Sequence, residues 1–253
     1  MTPRPARTAL TAATAVLLLA SCTHDTPKAP PPWDSNDHTT ARWIPNPAAD
    51  LMSSEGTFIR ATVESWRAAG TAQGQGMQAI KSGGYPGFDH ALNFPNTPWK
   101  PEEVGGGLRY ERPLVGTNYY EIVALTRDGD RYKAGVCHYT SQTAGQLEDG
   151  QYPTPGPKPM GGGEWVTFGP DPKLSADQQH PPLAHQKGPA ERPTDNVFGT
   201  WVLFDYDSLI ATTLPQCDKF APGTPTNFSD SNKRADPPPT LPPDPGWPEG
   251  SKA

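Results

Sequence analysis

A histidine and an aspartate occupy positions where chemistry could be done. His138 lies in the run Tyr132 to Thr140, on the same parity as Tyr132, Ala134 and Val136. Asp205 lies in TWVLFDY (200–206), on the parity of Trp201 and Leu203. Alternate residues of a strand share a face, so each group would stand on an apolar side. A carboxyl buried there would have its pKa raised and could act as a base. A histidine could carry a proton near neutrality. The bland reading of each is structural: a histidine packed among strand neighbours, and an aspartate at a strand end in water. Gly74-Gln75-Gly76-Met77-Gln78-Ala79 has GxGxxA spacing, but it follows a helical pattern where the dinucleotide fingerprint needs a strand. The chain has no GxSxG, HExxH, Walker A or EF-hand spacing. Asp205 and His138 are therefore the only catalytic candidates, and no metal or cofactor is called for. Three cysteines, Cys22, Cys137 and Cys217, complete the reactive inventory, and neither Cys137 nor Cys217 has the CxxC or CxxH spacing of a zinc site.

The elements that must position these groups are legible in part. Ile59, Val63 and Trp66 fall at i, i+4 and i+7, which predicts a helix over 50–69, capped by Asp50, Ser53 or Ser54 and ended by Gly70. A short helix is predicted over 75–81, broken by Gly83-Gly84-Tyr85-Pro86-Gly87. Residues 85–107 read as turns with inward Phe88, Leu92, Phe94 and Trp99. The strongest strand signal is Tyr119 to Thr140, a hairpin turning at Asp128-Gly129. Short strands follow at 164–168 and 200–206. Between them, 141–163 and 169–197 are Pro/Gly-rich and read as surface excursions. The expected fold class is α+β: amino-terminal helices packed on a curved antiparallel sheet, with long Pro/Gly-rich insertions and tails.

The amino terminus is an address. Arg4 and Arg7 precede a 12-residue apolar run, Ala9 to Ala20, too short for the roughly 20 residues that a membrane-crossing helix needs. It ends in Leu19-Ala20-Ser21-Cys22, which resembles the lipobox of bacterial lipoproteins. The resemblance implies cleavage before Cys22 and acylation of its thiol and new amino group, with two or three acyl chains giving a stable anchor. The alternative is an ordinary signal peptide cleaved near Ala20. The expected domains are a signal peptide (1–21), a Pro-rich tether (22–48), one α+β domain (49–220) and a Pro-rich tail (221–253). The tail holds nine Pro and only Phe228, Leu241 and Trp247 as large apolar residues, so it is expected to be disordered or polyproline-like and outside the core.

Outside the cytoplasm, with Cys22 taken by lipid, Cys137 and Cys217 are most simply a disulfide. The alternatives are two free thiols or a thiolate nucleophile.

Composition narrows the function classes. With 33 Pro and 25 Gly in 253 residues and 34% hydrophobic residues, the chain can fill only a modest core. Its formal charge is −6, and loss of Arg4 and Arg7 with the leader takes it to −8, with no basic run. That argues against a nucleic-acid partner or an electrostatic grip on anionic lipid. The order of helices, then a hairpin returning as GDRYKAGVC (129–137), then a strand opening Gly199-Thr200-Trp201-Val202 resembles the nuclear-transport-factor-like (cystatin-like) cone fold found in many actinobacterial lipoproteins. That resemblance covers roughly 50–217 and implies a sheet wrapped on helices around an apolar cone, catalytic in some members and not in many others. The expectation is a non-enzymatic binding or scaffolding domain, lipid-anchored on the extracytoplasmic face of the cell membrane, with an envelope protein or an apolar small molecule as partner. The alternatives are a cone-fold isomerase- or dehydratase-like enzyme using Asp205 or His138, and a cell-wall glycan-binding module.

Overall fold

The computed structural model describes residues 36–92, 106, 110–159, 161–207, 214–225 and 232–250. Helix α1 spans Ser54–Thr71. Ser53 caps it, its hydroxyl accepting from the Gly56 backbone N–H at 3.0 Å, which satisfies one of the unpaired amides of the first turn. Phe58, Ile59 and Val63 form its buried face. Helix α2 (Met77–Gly83) and the single turn α3 (Phe88–Ala91) follow, the latter falling in the region expected to hold turns.

The hairpin is longer than the sequence pattern suggested: β2 is Leu114–Asp128 and β3 is Arg131–Tyr139. Gly129 sits in the turn at φ 58°, a conformation that favours glycine. Short strands β4 (Thr143–Gly145) and β5 (Tyr152–Pro153) interrupt the first excursion. β6 is Gly162–Pro170, β7 is Trp201–Asp207, and β8 (Lys233–Arg234) pairs with β5. The fold class is α+β as expected. The main sheet runs β1-β2-β3-β6-β7, with β4 beside β2.

The first correction concerns the tether. Its end, Asp37–Ile44, is strand β1, which pairs in parallel with β2 and makes the sheet mixed. Trp43 of β1 is buried against Tyr120, with ring centroids 5.0 Å apart. The prolines of the segment lie before Trp33 and again at Pro45 and Pro47, and DHTTARWI between them is free of proline and contains β-branched residues and a Trp, which suit a strand.

The second correction concerns the tail. Residues 239–247 are a strap over β1 and β2, ending in a fully buried Trp247. Thr117 and Thr40 donate to the carbonyls of Pro239 and Leu241, and Arg42 to that of Pro242. The Trp43 backbone N–H of β1 also donates to the Asp244 carbonyl at 2.7 Å, and the Asp244 N–H to the Ala41 carbonyl at 3.2 Å. The expectation failed because it counted only apolar side chains. A proline-rich chain has less conformational entropy to lose, and its carbonyls remain acceptors for side chains of the sheet.

Two apolar clusters hold the sheet. The larger lies on the helix side and contains Phe58, Ile122, Val136, Val166, Phe168, Leu203 and Trp247. The smaller lies on the other side, where Tyr119, Cys137 and Tyr139 meet Leu214, Cys217 and Ala221. Both faces of β3 are therefore covered. The Cys137–Cys217 disulfide pins the second cluster, with Cα atoms 5.0 Å apart and a sequence separation of 80.

Candidate functional site

Helix α1 carries two opposite charges inward, Arg60 and Glu64. Arg60 is fully buried and donates to the carbonyls of Gln186 (2.8 Å), Pro245 (2.9 Å) and Gly246 (3.0 Å), while its guanidinium lies 4.3 Å from the Trp247 ring centre. Glu64, one turn on, accepts from Trp43 Nε1 (2.7 Å), Tyr85 OH (2.7 Å) and Trp247 Nε1 (2.8 Å). Burial raises the Glu64 carboxyl, and Arg60 and the three donors oppose that rise. Strand β1, the turn between α2 and α3 and the strap thus meet on one carboxylate of α1.

Beside it opens a cleft of about 350 Å³ between β1, α1 and Glu191-Arg192. Asp37 and Arg67 form one wall of it, with Arg67 donating to Asp37 at 3.0 Å. Tyr120, Asn118 and Tyr85 also line it. Arg192 donates to the carbonyls of Gly83 (2.7 Å) and Gly84 (3.1 Å), and lies over the Tyr85 ring.

From this wall a chain of hydrogen bonds runs to His138. The Thr39 hydroxyl donates to Asp37 Oδ1 at 2.6 Å, so it accepts from Asn118 Nδ2 at 2.7 Å. That fixes the Asn118 amide, whose Oδ1 lies 2.9 Å from His138 Nε2. An amide oxygen only accepts, so His138 carries its proton on Nε2 and presents a bare Nδ1. Burial, and secondarily Arg67, pulls His138 down to about 3. The ring is neutral at physiological pH and stacks on Tyr120 at 4.6 Å.

One strand further, Glu164 of β6 pairs in register with Val136 of β3. The Tyr206 hydroxyl donates to its Oε2. Its Oε1 is buried and has no hydrogen-bond partner. Burial, opposed only by the Tyr206 hydroxyl, pushes the carboxyl up to about 7.

Asp205 is not part of this arrangement. The β6–β7 register shifts at Thr167/Phe168, placing Asp205 opposite Thr167 and Leu203 opposite Phe168. A bulge breaks strand alternation: Tyr206 joins Trp201 and Leu203 in the core, and Asp205 is exposed. The expectation that Asp205 shares a face with Trp201 and Leu203 is thereby corrected. His138 keeps its expected face, with Tyr132, Ala134 and Val136. Cys22 lies outside the described residues. Among those residues no group of three His, Cys, Asp or Glu could hold a metal ion, and no helix is long and apolar enough to cross a membrane.

Sequence reasoning missed Glu64, Arg67, Asn118 and Glu164. The signal for Glu164 was present: it has the parity of Val166 and Phe168, which places a carboxyl on an apolar face. Arg60 and Glu64 had no such signal, because an i, i+4 pair of opposite charges reads as a solvated helix surface.

In comparison with known proteins, no family model matches this chain, and neither a curated protein nor a solved structure matches it.

Proposed function

We propose that this protein is a lipid-anchored binding protein of the bacterial cell envelope, non-enzymatic, and that the cleft between β1, α1 and Arg192 receives its ligand. The observation that carries the reading is how the charges of the cleft are used. Asp37 is engaged by Arg67 and Thr39, and Glu64 by Trp43, Tyr85 and Trp247. These groups shape a polar wall, and holding them in place preorganises it for recognition. The lining favours a polar ligand over an apolar one.

The enzyme reading loses Asp205 to solvent, and a histidine titrating near 3 is a poor proton shuttle at neutral pH. A glycan-binding surface needs exposed rings, and among the described Trp residues Trp43, Trp201 and Trp247 are buried and Trp66 and Trp165 half-buried. The test is a small-molecule screen by saturation-transfer NMR, repeated on Ala68→Phe, which fills the cleft from α1. Ligands that bind the wild type and are lost in Ala68→Phe support the reading. If every hit survives that substitution, the cleft is not the site.

A further inference from the structure

Donors and acceptors on the wall of the cleft are engaged unevenly. The inward acceptors are taken. Asp37 holds Arg67 and the Thr39 hydroxyl, and Glu64 holds three donors. The Asn118 amide donates to Thr39 and accepts from His138. Glu191, the remaining carboxylate of the lining, is exposed to water. Two donors are left over. Arg67 uses Nη2 on Asp37 (3.0 Å) and on the Thr39 hydroxyl (3.4 Å). Its Nη1 meets no partner among the described residues, and its Nε is buried without one. The hydroxyls of Tyr85, Tyr139 and Tyr206 each donate to a carboxylate. The Tyr120 hydroxyl has no hydrogen-bond partner among the described residues. Tyr120 is only 2% exposed, yet its oxygen is not sealed in, and the surface it keeps is on the cleft that it lines.

These two donors are neighbours. Of the charged groups, Arg67 acts most strongly on the Tyr120 hydroxyl, and Tyr120 acts on Arg67 ahead of Asp37. Burial raises the pKa of the hydroxyl, so it keeps its proton and remains a donor. Both residues border open space of about 350 Å³, within the range of small-molecule sites. Guanidinium and hydroxyl N–H and O–H groups held away from water without acceptors are costly, and the two oxygens of one carboxylate satisfy both. The charges already present do not oppose an anion. Asp37 is paired with Arg67, the field of Arg60 acts on Glu64, and the guanidinium of Arg192 also lines the cleft. Ala41 and Ala68 give the same space an apolar side.

We propose that the ligand of this cleft is a small organic carboxylate, one oxygen accepting from Nη1 of Arg67 and the other from the Tyr120 hydroxyl, with its apolar body along Ala41 and Ala68. This rests on the reading of the cleft as the binding site and adds the charge and the head group of what it binds. Arg67 then joins two carboxylates, that of Asp37 and that of the ligand, which the fork of N–H groups on one guanidinium allows.

Ligand-observed NMR titration with benzoate near neutral pH tests this, with neutral benzamide as the control, on the wild type, Tyr120→Phe, Arg67→Lys and Ala68→Phe. Benzoate should bind the wild type at least about tenfold more tightly than benzamide, the scale of a charge-assisted contact. Tyr120→Phe should weaken benzoate by about tenfold. Its melting temperature should stay within about a degree of the wild type, because the hydroxyl removed is bonded to nothing in the protein. Arg67→Lys should weaken benzoate by a similar factor, since an ammonium held by Asp37 has no fork to offer a second carboxylate. Equal binding by benzoate and benzamide overturns the proposal, as does unchanged benzoate affinity in Tyr120→Phe or no binding of benzoate. A clear fall in the melting temperature of Tyr120→Phe also overturns it, by showing that the hydroxyl is bound within the protein. If screening ligands are lost in Ala68→Phe while benzoate fails these tests, the cleft reading stands and the carboxylate falls. If benzoate binds and ignores Ala68→Phe, both readings fall together.

Discussion

Glu164 and His138 make opposite demands on pH. The Glu164 carboxyl, titrating near 7 in the folded chain against an ordinary 4.5, holds its proton better when folded. Its neutral form therefore favours folding at low pH, and that advantage is lost as pH rises from about 4.5 to 7, costing about 3 kcal/mol in all. His138, drawn down from 6.5 to about 3, is stabilising while neutral and loses about 5 kcal/mol as pH falls through the same span. Between about 4.5 and 6.5 the two slopes cancel. Urea unfolding across pH should show the decline above this window in the wild type and not in Glu164→Gln. The variant should be more stable by about 3 kcal/mol at pH 8 and nearly equal near pH 4.5. Parallel curves for the two proteins would refute the assignment.

At the scale of elements, the strap decides how α1 is held. Trp247 fills the core, donates to Glu64 and lies under Arg60. Truncating it opens a cavity and leaves Glu64 short of a donor. Large aromatic truncations cost about 3–5 kcal/mol, so Trp247→Ala should lower the melting temperature by on the order of 10 °C. Removal of 239–253 should do at least as much, because Arg60 then loses the carbonyls of Pro245 and Gly246. Calorimetry of both variants checks this, and an unchanged melting temperature would mean that the strap is not bound in solution. A milder effect belongs to the α1 cap: Ser53→Ala should cost about 1 kcal/mol.

For the whole molecule, the disulfide and the anchor set the context. Cys137–Cys217 closes a loop of 80 residues, and loop-closure entropy for that length gives about 4–5 kcal/mol. Denatured, unreduced mature protein should therefore show no alkylatable thiol, and the paired Cys→Ser variant should be destabilised on that scale. Reaction of both cysteines without reductant would contradict the bond. The proposed anchor makes a separate prediction. Cys22→Ala should move the protein from the membrane fraction to the soluble one, and mass spectrometry of the wild type should find acyl chains on an amino-terminal Cys22. Unchanged membrane retention of the variant would remove the anchor from the proposal.

Local signals in the sequence were enough to determine α1, the β2–β3 hairpin, the faces of β3 and the short strands later in the chain, and a small count favoured the pairing of Cys137 with Cys217 over free thiols. Each rests on a periodicity, a turn dipeptide or a small count, all of which act over a few residues or by elimination. Tertiary structure decided the rest. The strand β1 is stabilised by a parallel partner more than 70 residues away, and parallel pairing leaves no local turn signature. The strap is held by side chains donating to proline carbonyls, an interaction that composition does not display. The bulge in β6–β7 moves Tyr206 inward and Asp205 outward, because one added residue inverts strand parity. Burial likewise gave Glu64 and Glu164 different states: the first gathered three donors from distant parts of the chain, and the second was left with one.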